Sequence, residues 1–197
     1  MTDENKLEPT VQGDVEAEDE IAQADAEARN IGANNIVKNH IIASMALGLV
    51  PVPLFDIAAL VTAQINMLRS LSEHYDLPFD DTDSRSLVTS LIGGSLPVLG
   101  VVGLSSFAKL IPGVGTLLGS ASLSVSAGAV TYAVGQTFIM HFEAGGTIGN
   151  FDASKAQAFF KREFDKGKAL VRDIREEVKG PAAGKAAGET ADTHTPP

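Results

Sequence analysis

The fold is decided by residues 86–140, which have the sequence SLVTSLIGGSLPVLGVVGLSSFAKLIPGVGTLLGSASLSVSAGAVTYAVGQTFIM. These 55 residues contain one charged side chain, Lys109, which is unusual even for a soluble core. The stretch is long enough for two membrane spans of about 20 residues each. Pro112 and Gly113 predict the turn between them, because a proline ends a helix and a following glycine permits a reversal. We therefore expect a membrane helical hairpin, with arms at about 86–111 and 114–140. A hairpin buried inside a soluble bundle is the alternative.

The second arm carries small residues at the spacing that lets two helices approach closely. Gly115 and Gly119 form a small-xxx-small pair, a pattern common at helix contacts in membranes. Lys109, next to the turn, is expected to extend toward the membrane surface or to cap a helix C-terminus. The glycines at 113, 115 and 119 also imitate a dinucleotide-binding pattern. They follow a helix instead of a strand, so we assign them to the turn and to packing.

Two amphipathic helices are predicted before the hairpin, at residues 34–49 and 54–75, and Pro51 and Pro53 separate them. Asp56 is the single acid between Asn34 and Leu71. We expect it to cap the second of these helices. An acid beside an apolar layer is also a candidate for a functional role such as proton relay.

The ends of the chain have a different composition. Residues 1–33 hold ten acidic and two basic side chains, which predicts a disordered acidic tail. Within it, the density of Ala and Glu predicts a weak helix near Ala22–Arg29. Residues 152–179 predict an amphipathic helix, with Asp152 as its N-cap and apolar residues at heptad spacing. That apolar seam would dock on the rest of the chain or bind a partner. Residues 180–197 are rich in Gly, Ala, Thr and Pro and predict a flexible tail.

Charge and composition exclude several classes of function. The net charge of −10 argues against binding along a nucleic-acid backbone. The absence of cysteine excludes thiolate metal sites and a cysteine nucleophile. We find no metal-ligand spacing and no grouping of nucleophile, base and acid in the sequence. We therefore expect no enzymatic activity, no metal and no cofactor.

Five short motifs stand out in the apolar part of the chain. They are IVKNHIIAS at Ile36–Ser44, GLVPVPLFD at Gly48–Asp56, SLIGGSLP at Ser90–Pro97, KLIPGVGT at Lys109–Thr116 and AVTYAVGQTFIMHFEAGG at Ala129–Gly146. Together they resemble the domain of unknown function 697 family, over about 34–146. The resemblance implies a bacterial membrane protein, and some members of the family look like a membrane module fused to an Era-like GTPase domain. This chain has no GxxxxGK[ST] phosphate loop, so the resemblance implies that any GTPase is a separate protein.

We thus predict an all-α membrane-associated domain over 34–146, flanked by amphipathic helices. Basic residues on one side of the hairpin place both termini in the cytoplasm of a bacterium, at its inner membrane. The expected role is non-enzymatic: a membrane anchor, scaffold or assembly factor with a GTPase partner, able to form homo-oligomers through its glycine-rich helices. An oligomeric channel or transport component and a soluble helical bundle that binds other proteins are the alternatives.

Overall fold

The structure is a computed structural model that describes residues 8–47, 55–99 and 115–186. Side-chain surroundings are described over 16–47, 59–94 and 124–176. Within these ranges the protein consists of helices and contains no strand, so the all-α prediction is confirmed. The elements are α1 (Glu8–Leu47), α2 (Phe55–His74), α3 (Asp81–Leu99), α4 (Gly115–Glu143), a 3-10 turn (Ile148–Asn150) and α5 (Ala153–Ala186).

Helix α4 forms the centre of the bundle. Between Ser124 and Ile139 all of its residues are buried except Ser126, Tyr132 and Gln136, which are half-buried. A helix that is apolar all round must be enclosed by other elements, and α4 packs chiefly against α5 and α1. The largest enclosed apolar side chains come from all five helices, namely Ile41, Met67, Leu68, Leu71, Leu91, Phe138 and Phe160.

Glycine allows α1 to approach α4. An added Cβ at Gly135 would lie 2.5 Å from a methyl carbon of Val37, and one at Gly128 would lie 2.9 Å from Met45 Cγ. Both separations are shorter than an ordinary carbon contact of about 3.5–4.0 Å. Close helix packing through glycine therefore occurs in the described part of α4, at positions other than the predicted Gly115 and Gly119.

The membrane hairpin is not confirmed. None of the helices in the described ranges combines the length and the apolar character that crossing a membrane requires. The second predicted arm corresponds to α4. The first arm overlaps α3, whose main contacts are with α2 and α5 instead of α4. The predicted turn at Pro112-Gly113 lies outside the described residues.

The predicted acidic tail is helical over most of its length. Residues 8–33 form the first part of α1, so the expectation of disorder over 1–33 is wrong for this range. Residues 16–29 are exposed. The helix joins the bundle from Asn30 onward, and Ala33 is fully buried. Alanine and glutamate favour helix intrinsically, and the backbone hydrogen bonds of a helix need no tertiary partner. The weak helix predicted near Ala22–Arg29 is therefore confirmed, as part of a longer helix that the argument from burial alone did not predict.

Helix α5 begins where the sequence predicted. Asp152 accepts hydrogen bonds from the backbone N–H of Ser154 (3.0 Å) and of Lys155 (3.2 Å), which confirms it as the N-cap. The apolar seam of α5 packs against its own bundle: Phe160, Phe164 and Val171 are buried. The helix continues through Ala186, so residues 180–186 of the predicted flexible tail are helical.

Three hydrogen bonds from α1 to residues distant in sequence define the two ends of the bundle. Asn30 hydrogen-bonds to Glu143 at the end of α4, and the Arg29 carbonyl oxygen lies 2.8 Å from His74 Nε2 at the end of α2. Further along α1, the Met45 carbonyl accepts a hydrogen bond from Ser124. Helix α1 is therefore antiparallel to both α2 and α4. We call the end of the bundle where Asn30 meets Glu143 the Glu143 end. The opposite end, toward which Met45 and Ser124 lie, is called the Leu47 end.

Candidate functional site

A ladder of polar side chains runs along the contact between α1 and α4. Gln136 Nε2 donates to Asn34 Oδ1 (2.7 Å), and Asn34 Nδ2 donates to Asn30 Oδ1 (2.8 Å). Asn30 Nδ2 then donates to Glu143 Oε1 (2.6 Å). The spacings 30/34 on α1 and 136/143 on α4 place each pair on one helix face. This succession of hydrogen bonds orients the Glu143 carboxylate at the end of the bundle.

The ladder opens into a cleft at the Glu143 end. Tyr75, just after α2, donates its hydroxyl to the same Glu143 oxygen at 3.1 Å. The cleft has a volume of about 570 Å³. Its walls mix one cation, one carboxylate, two polar side chains and apolar surface, from Ala26, Arg29, Asn30, Tyr75, Phe142, Glu143 and Gly145.

The electrostatics of the cleft keep Tyr75 protonated. Burial raises the pKa of the Tyr75 hydroxyl well above its ordinary value, and the negative charge and hydrogen bond of Glu143 raise it further, while Arg29 acts in the opposite direction. A hydroxyl that serves as a base or nucleophile needs a lowered pKa instead. Tyr75 is therefore a hydrogen-bond donor here, and the cleft is suited to holding polar groups more than to proton transfer.

Two histidines fasten the same end of the bundle. His74 Nε2 contacts the Arg29 carbonyl, and His141 Nε2 lies 3.0 Å from the Thr147 carbonyl and 2.9 Å from Asn150 Oδ1. The His74 contact joins α2 to α1, and the two His141 contacts tie the α4–α5 connection to α4. In the described ranges no three His, Asp or Glu side chains are grouped closely enough to hold a metal ion.

A second polar cluster is enclosed in the bundle. Gln64 Nε2 donates to Thr131 Oγ1 (2.7 Å), and Thr131 Oγ1 lies 2.8 Å from Ser44 Oγ, so the cluster joins α2, α4 and α1. All three side chains are fully buried. Gln64 Oε1 has no hydrogen-bond partner within the described part of the chain. The sequence signal that could have indicated this cluster is one polar residue at a core-facing position of each of the three helices.

The ladder, the cleft and the buried cluster contain none of the residues that the sequence singled out. Asp56 is the second residue of α2, and Gly115 and Gly119 are the first and fifth residues of α4. Their side-chain surroundings are not among those described. The other candidates lie outside the described residues: Pro51, Pro53, Lys109, Pro112 and Gly113. The roles assigned to all eight stay predictions.

Comparison with known proteins gives a family and a relative. The family "Domain of unknown function (DUF697)" matches residues 14–169. A protein named Magnetosome membrane protein 22, from Magnetospirillum gryphiswaldense strain MSR-1, is 45% identical over 152 residues, which cover 77% of this chain and 78% of that protein. No solved structure matches this chain.

The matched range includes every helix that builds the polar ladder and the cleft, together with the first half of α5. It begins inside α1 at residue 14 and so includes most of the acidic part of that helix. It also contains each of the short motifs in which the sequence resembles the family. The chain therefore belongs to the family of the domain of unknown function DUF697.

Proposed function

We propose that this protein is a non-enzymatic membrane protein that acts as an anchor, scaffold or assembly factor. One observation carries the proposal: two apolar stretches of sequence adjoin helix ends that lie at the same end of the bundle. Segments 48–54 and 100–114 contain a single charged residue, Lys109. Leu47, Phe55 and Gly115 are three of the four helix ends that adjoin them. All three lie at the Leu47 end, because α1 is antiparallel to α2 and α4.

Helix ends that adjoin apolar sequence, grouped at one end of a bundle, suit attachment to a lipid bilayer from one side. Helix α5 lies beside α4 and carries its charged side chains toward the Leu47 end, because Val171 packs on Gly128. Such charges favour water over the hydrocarbon core. We therefore propose that the described bundle lies in the cytoplasm of a bacterium against the inner membrane, with both termini on that side. The 45% identity to a protein named as a magnetosome membrane protein supports membrane association.

The polar groups of the cleft support a role in binding instead of catalysis. Glu143 accepts hydrogen bonds from Asn30 and Tyr75, and burial keeps Tyr75 protonated. An acid–base enzyme needs a group with a pKa near the working pH. The proposed partner is a separate GTPase, a suggestion that rests on the family resemblance alone.

Fractionation of the expressed full chain tests the membrane part of this proposal. We expect the protein to remain in the membrane pellet through high-salt and alkaline carbonate washes and to be released by detergent. The double substitution Val102→Asp with Leu104→Asp should release it, because two carboxylates in an apolar segment oppose insertion. The control, Ser86→Asp with Ser90→Asp, adds the same charge at exposed positions of α3 and should stay in the pellet. Release of the unmodified protein by carbonate would contradict the proposal.

Capture of partners from the detergent extract tests the scaffold part. A scaffold or assembly factor predicts a protein retained with the full chain in detergent, and a GTP-binding protein among those retained would support the proposed partner. Ion or solute flux through vesicles that contain this chain alone would instead support the alternative, an oligomeric channel or transport component. The described polar cluster of Ser44, Gln64 and Thr131 is fully buried within one chain, so we favour the scaffold.

A further inference from the structure

The N-terminal part of α1 has an apolar seam that its own bundle leaves exposed. Residues 17, 21, 24, 28 and 31 alternate in steps of four and three, which is the spacing of a coiled-coil seam. All five are exposed, with Ile21 at 63% and Ile31 at 55%. We call residues 16–31 the α1 arm. The seam residues are Ala17, Ile21, Ala24, Ala28 and Ile31.

Acidic side chains border this seam on both sides. Residues 16–28 hold six acids and no base. Glu18 and Asp25 lie on one side of the seam and Glu20 and Glu27 on the other, at the positions that choose a partner in coiled coils. Two α1 arms would place these acids against one another and repel. The arm therefore requires a helix with basic side chains beside an apolar strip.

One face of α5 has this chemistry. Lys155, Phe159, Arg162, Lys166 and Leu170 project within about a quarter of the helix circumference, given 3.6 residues per turn; we call them the α5 flank. Phe159 is half-buried and Leu170 is 40% exposed. The Arg162 guanidinium stacks over the Phe159 ring at 4.7 Å. Within residues 153–176 this helix carries seven basic and four acidic side chains.

The α5 flank keeps a net positive charge after its internal ion pairs. Arg162 and Lys166 share one buried carboxylate, Glu163, at 3.3 and 2.8 Å. Lys155 pairs with Asp152 at 3.3 Å but is 86% exposed. Three bases thus face two carboxylates, while the α1 arm holds six acids and one base, Arg29.

The apolar positions of the two surfaces also match in spacing. Ile21 and Ile31 are ten residues apart, and Phe159 and Leu170 are eleven apart. At about 1.5 Å per residue these separations are roughly 15 and 16.5 Å. Asp25 and Glu27 lie between the two isoleucines, and Arg162 and Lys166 lie between Phe159 and Leu170, so both apolar contacts and the intervening ion pairs can form together.

The arm cannot reach the α5 flank of its own chain. Asn30 meets Glu143 at the end of α4, and the arm continues outward from that point. Helix α5 starts at the same end and runs the opposite way, since Gly167 packs on Ala129 and Val171 on Gly128. The arm and the flank therefore diverge from the Glu143 end. A second molecule must supply the complementary surface.

We propose that the α1 arm of one copy docks on the α5 flank of a second copy. Each chain has one arm and one flank, so reciprocal docking gives a closed dimer and one-way docking gives a longer assembly. An anionic lipid surface is the other chemistry that a basic helix face suits. Lipid would repel the arm and leave its seam uncovered, which favours the second copy. The proposal does not depend on membrane attachment.

Charge reversal of each surface, followed by mixing, tests this interaction. The arm-reversed variant carries Glu20→Lys, Asp25→Lys and Glu27→Lys. The flank-reversed variant carries Lys155→Glu and Arg162→Glu, and it keeps Lys166 so that the buried Glu163 retains a partner. The control, Glu16→Lys with Asp19→Lys, alters charge away from the seam. All are made in the full chain, with folding checked by circular dichroism, and mass is measured by light scattering at several concentrations and salt levels.

We expect the unmodified chain and the control to associate, more weakly as salt increases. Each reversed variant alone should associate on the order of tenfold more weakly or worse. An equimolar mixture of the two reversed variants should associate again, because each arm then meets a flank of opposite charge. A monomeric unmodified chain, or a mixture that fails to associate, would overturn the proposal. So would a flank-reversed variant that associates normally and loses only binding to phosphatidylglycerol vesicles.

Discussion

The contact between Gly135 of α4 and Val37 of α1 allows a quantitative test of the packing. A Cβ at position 135 would lie 2.5 and 2.7 Å from the two methyl carbons of Val37. Carbon atoms in proteins pack at about 3.5–4.0 Å, so the Gly135→Ala substitution requires a local separation of about 1 Å. Val37 is 1% exposed, and a β-branched side chain in a helix has one strongly preferred rotamer. The two helices must therefore move apart.

The expected cost is the balance of two opposing effects. Overpacking of a core costs about 1–3 kcal/mol, and two contacts to a rigid side chain place this case in the upper half of that range. Replacing glycine by alanine inside a helix raises the free energy of unfolding by about 1 kcal/mol through helix propensity. Gly135→Ala should thus lower the free energy of unfolding by about 1–2 kcal/mol. For a chain of this length the Tm should fall by roughly 2–8 °C.

Gly93 provides the matched control for this prediction. It lies in α3, is exposed and has no atom within 4 Å of an added Cβ. Gly93→Ala should raise the stability by about 0.5–1 kcal/mol. In a Val37→Ala background the Gly135→Ala penalty should largely disappear, since only the Cβ of residue 37 remains, at 3.2 Å. Denaturant unfolding followed by circular dichroism measures all four variants. A Gly135→Ala protein as stable as Gly93→Ala would refute the packing described.

Three further predictions concern polar groups. Asp80 accepts a hydrogen bond from the Asp83 backbone N–H at 2.8 Å, so Asp80→Ala should cost about 1 kcal/mol in thermal unfolding and Asp80→Asn much less. The backbone N–H and side chain of Lys155 hold the pKa of Asp152 below its ordinary 3.8, so stability present above that pH should be lost as the pH falls through the lowered pKa, and less so in Asp152→Asn. Burial raises the pKa of Tyr75 above its ordinary 10.0, so the stability that the protonated hydroxyl contributes is complete below pH 10 and should be lost as the pH rises through the raised pKa. In an absorbance titration, the ionisation of this tyrosine at high pH should be present in the unmodified chain and absent in Tyr75→Phe.

The short-range features of the fold were predictable because their signals are local. The cap at Asp152 was recognised because capping needs only a short side chain before a run of helix. The seam of α5 followed from heptad spacing, although spacing alone could not distinguish docking on its own bundle from binding a partner. At the start of α3 the capping residue is Asp80, whose side chain accepts the hydrogen bond from the Asp83 backbone N–H.

The candidate site was not predictable, because it joins residues that are distant in sequence. Asn30 and Glu143 are separated by 113 positions, and nothing in the local pattern of either indicates the other. The acidic tail shows a different kind of error, because disorder was predicted where the structure has a helix. Its composition correctly indicated that residues 16–29 stay in water, but low hydrophobicity does not prevent a helix whose backbone bonds are all internal.

The sequence by itself determined the helical class, the punctuation by proline and glycine, and the uncharged central stretch, since these depend on residue type and spacing along one helix. The tertiary structure decided which faces meet. It placed the described part of α4 at the centre of a bundle, brought Glu143 to Asn30 and Tyr75, and left the seam of the α1 arm exposed. The physical reason is that an apolar helix gains as much from burial by its neighbours as from burial in lipid, so hydrophobicity indicates that it must be covered without indicating by what.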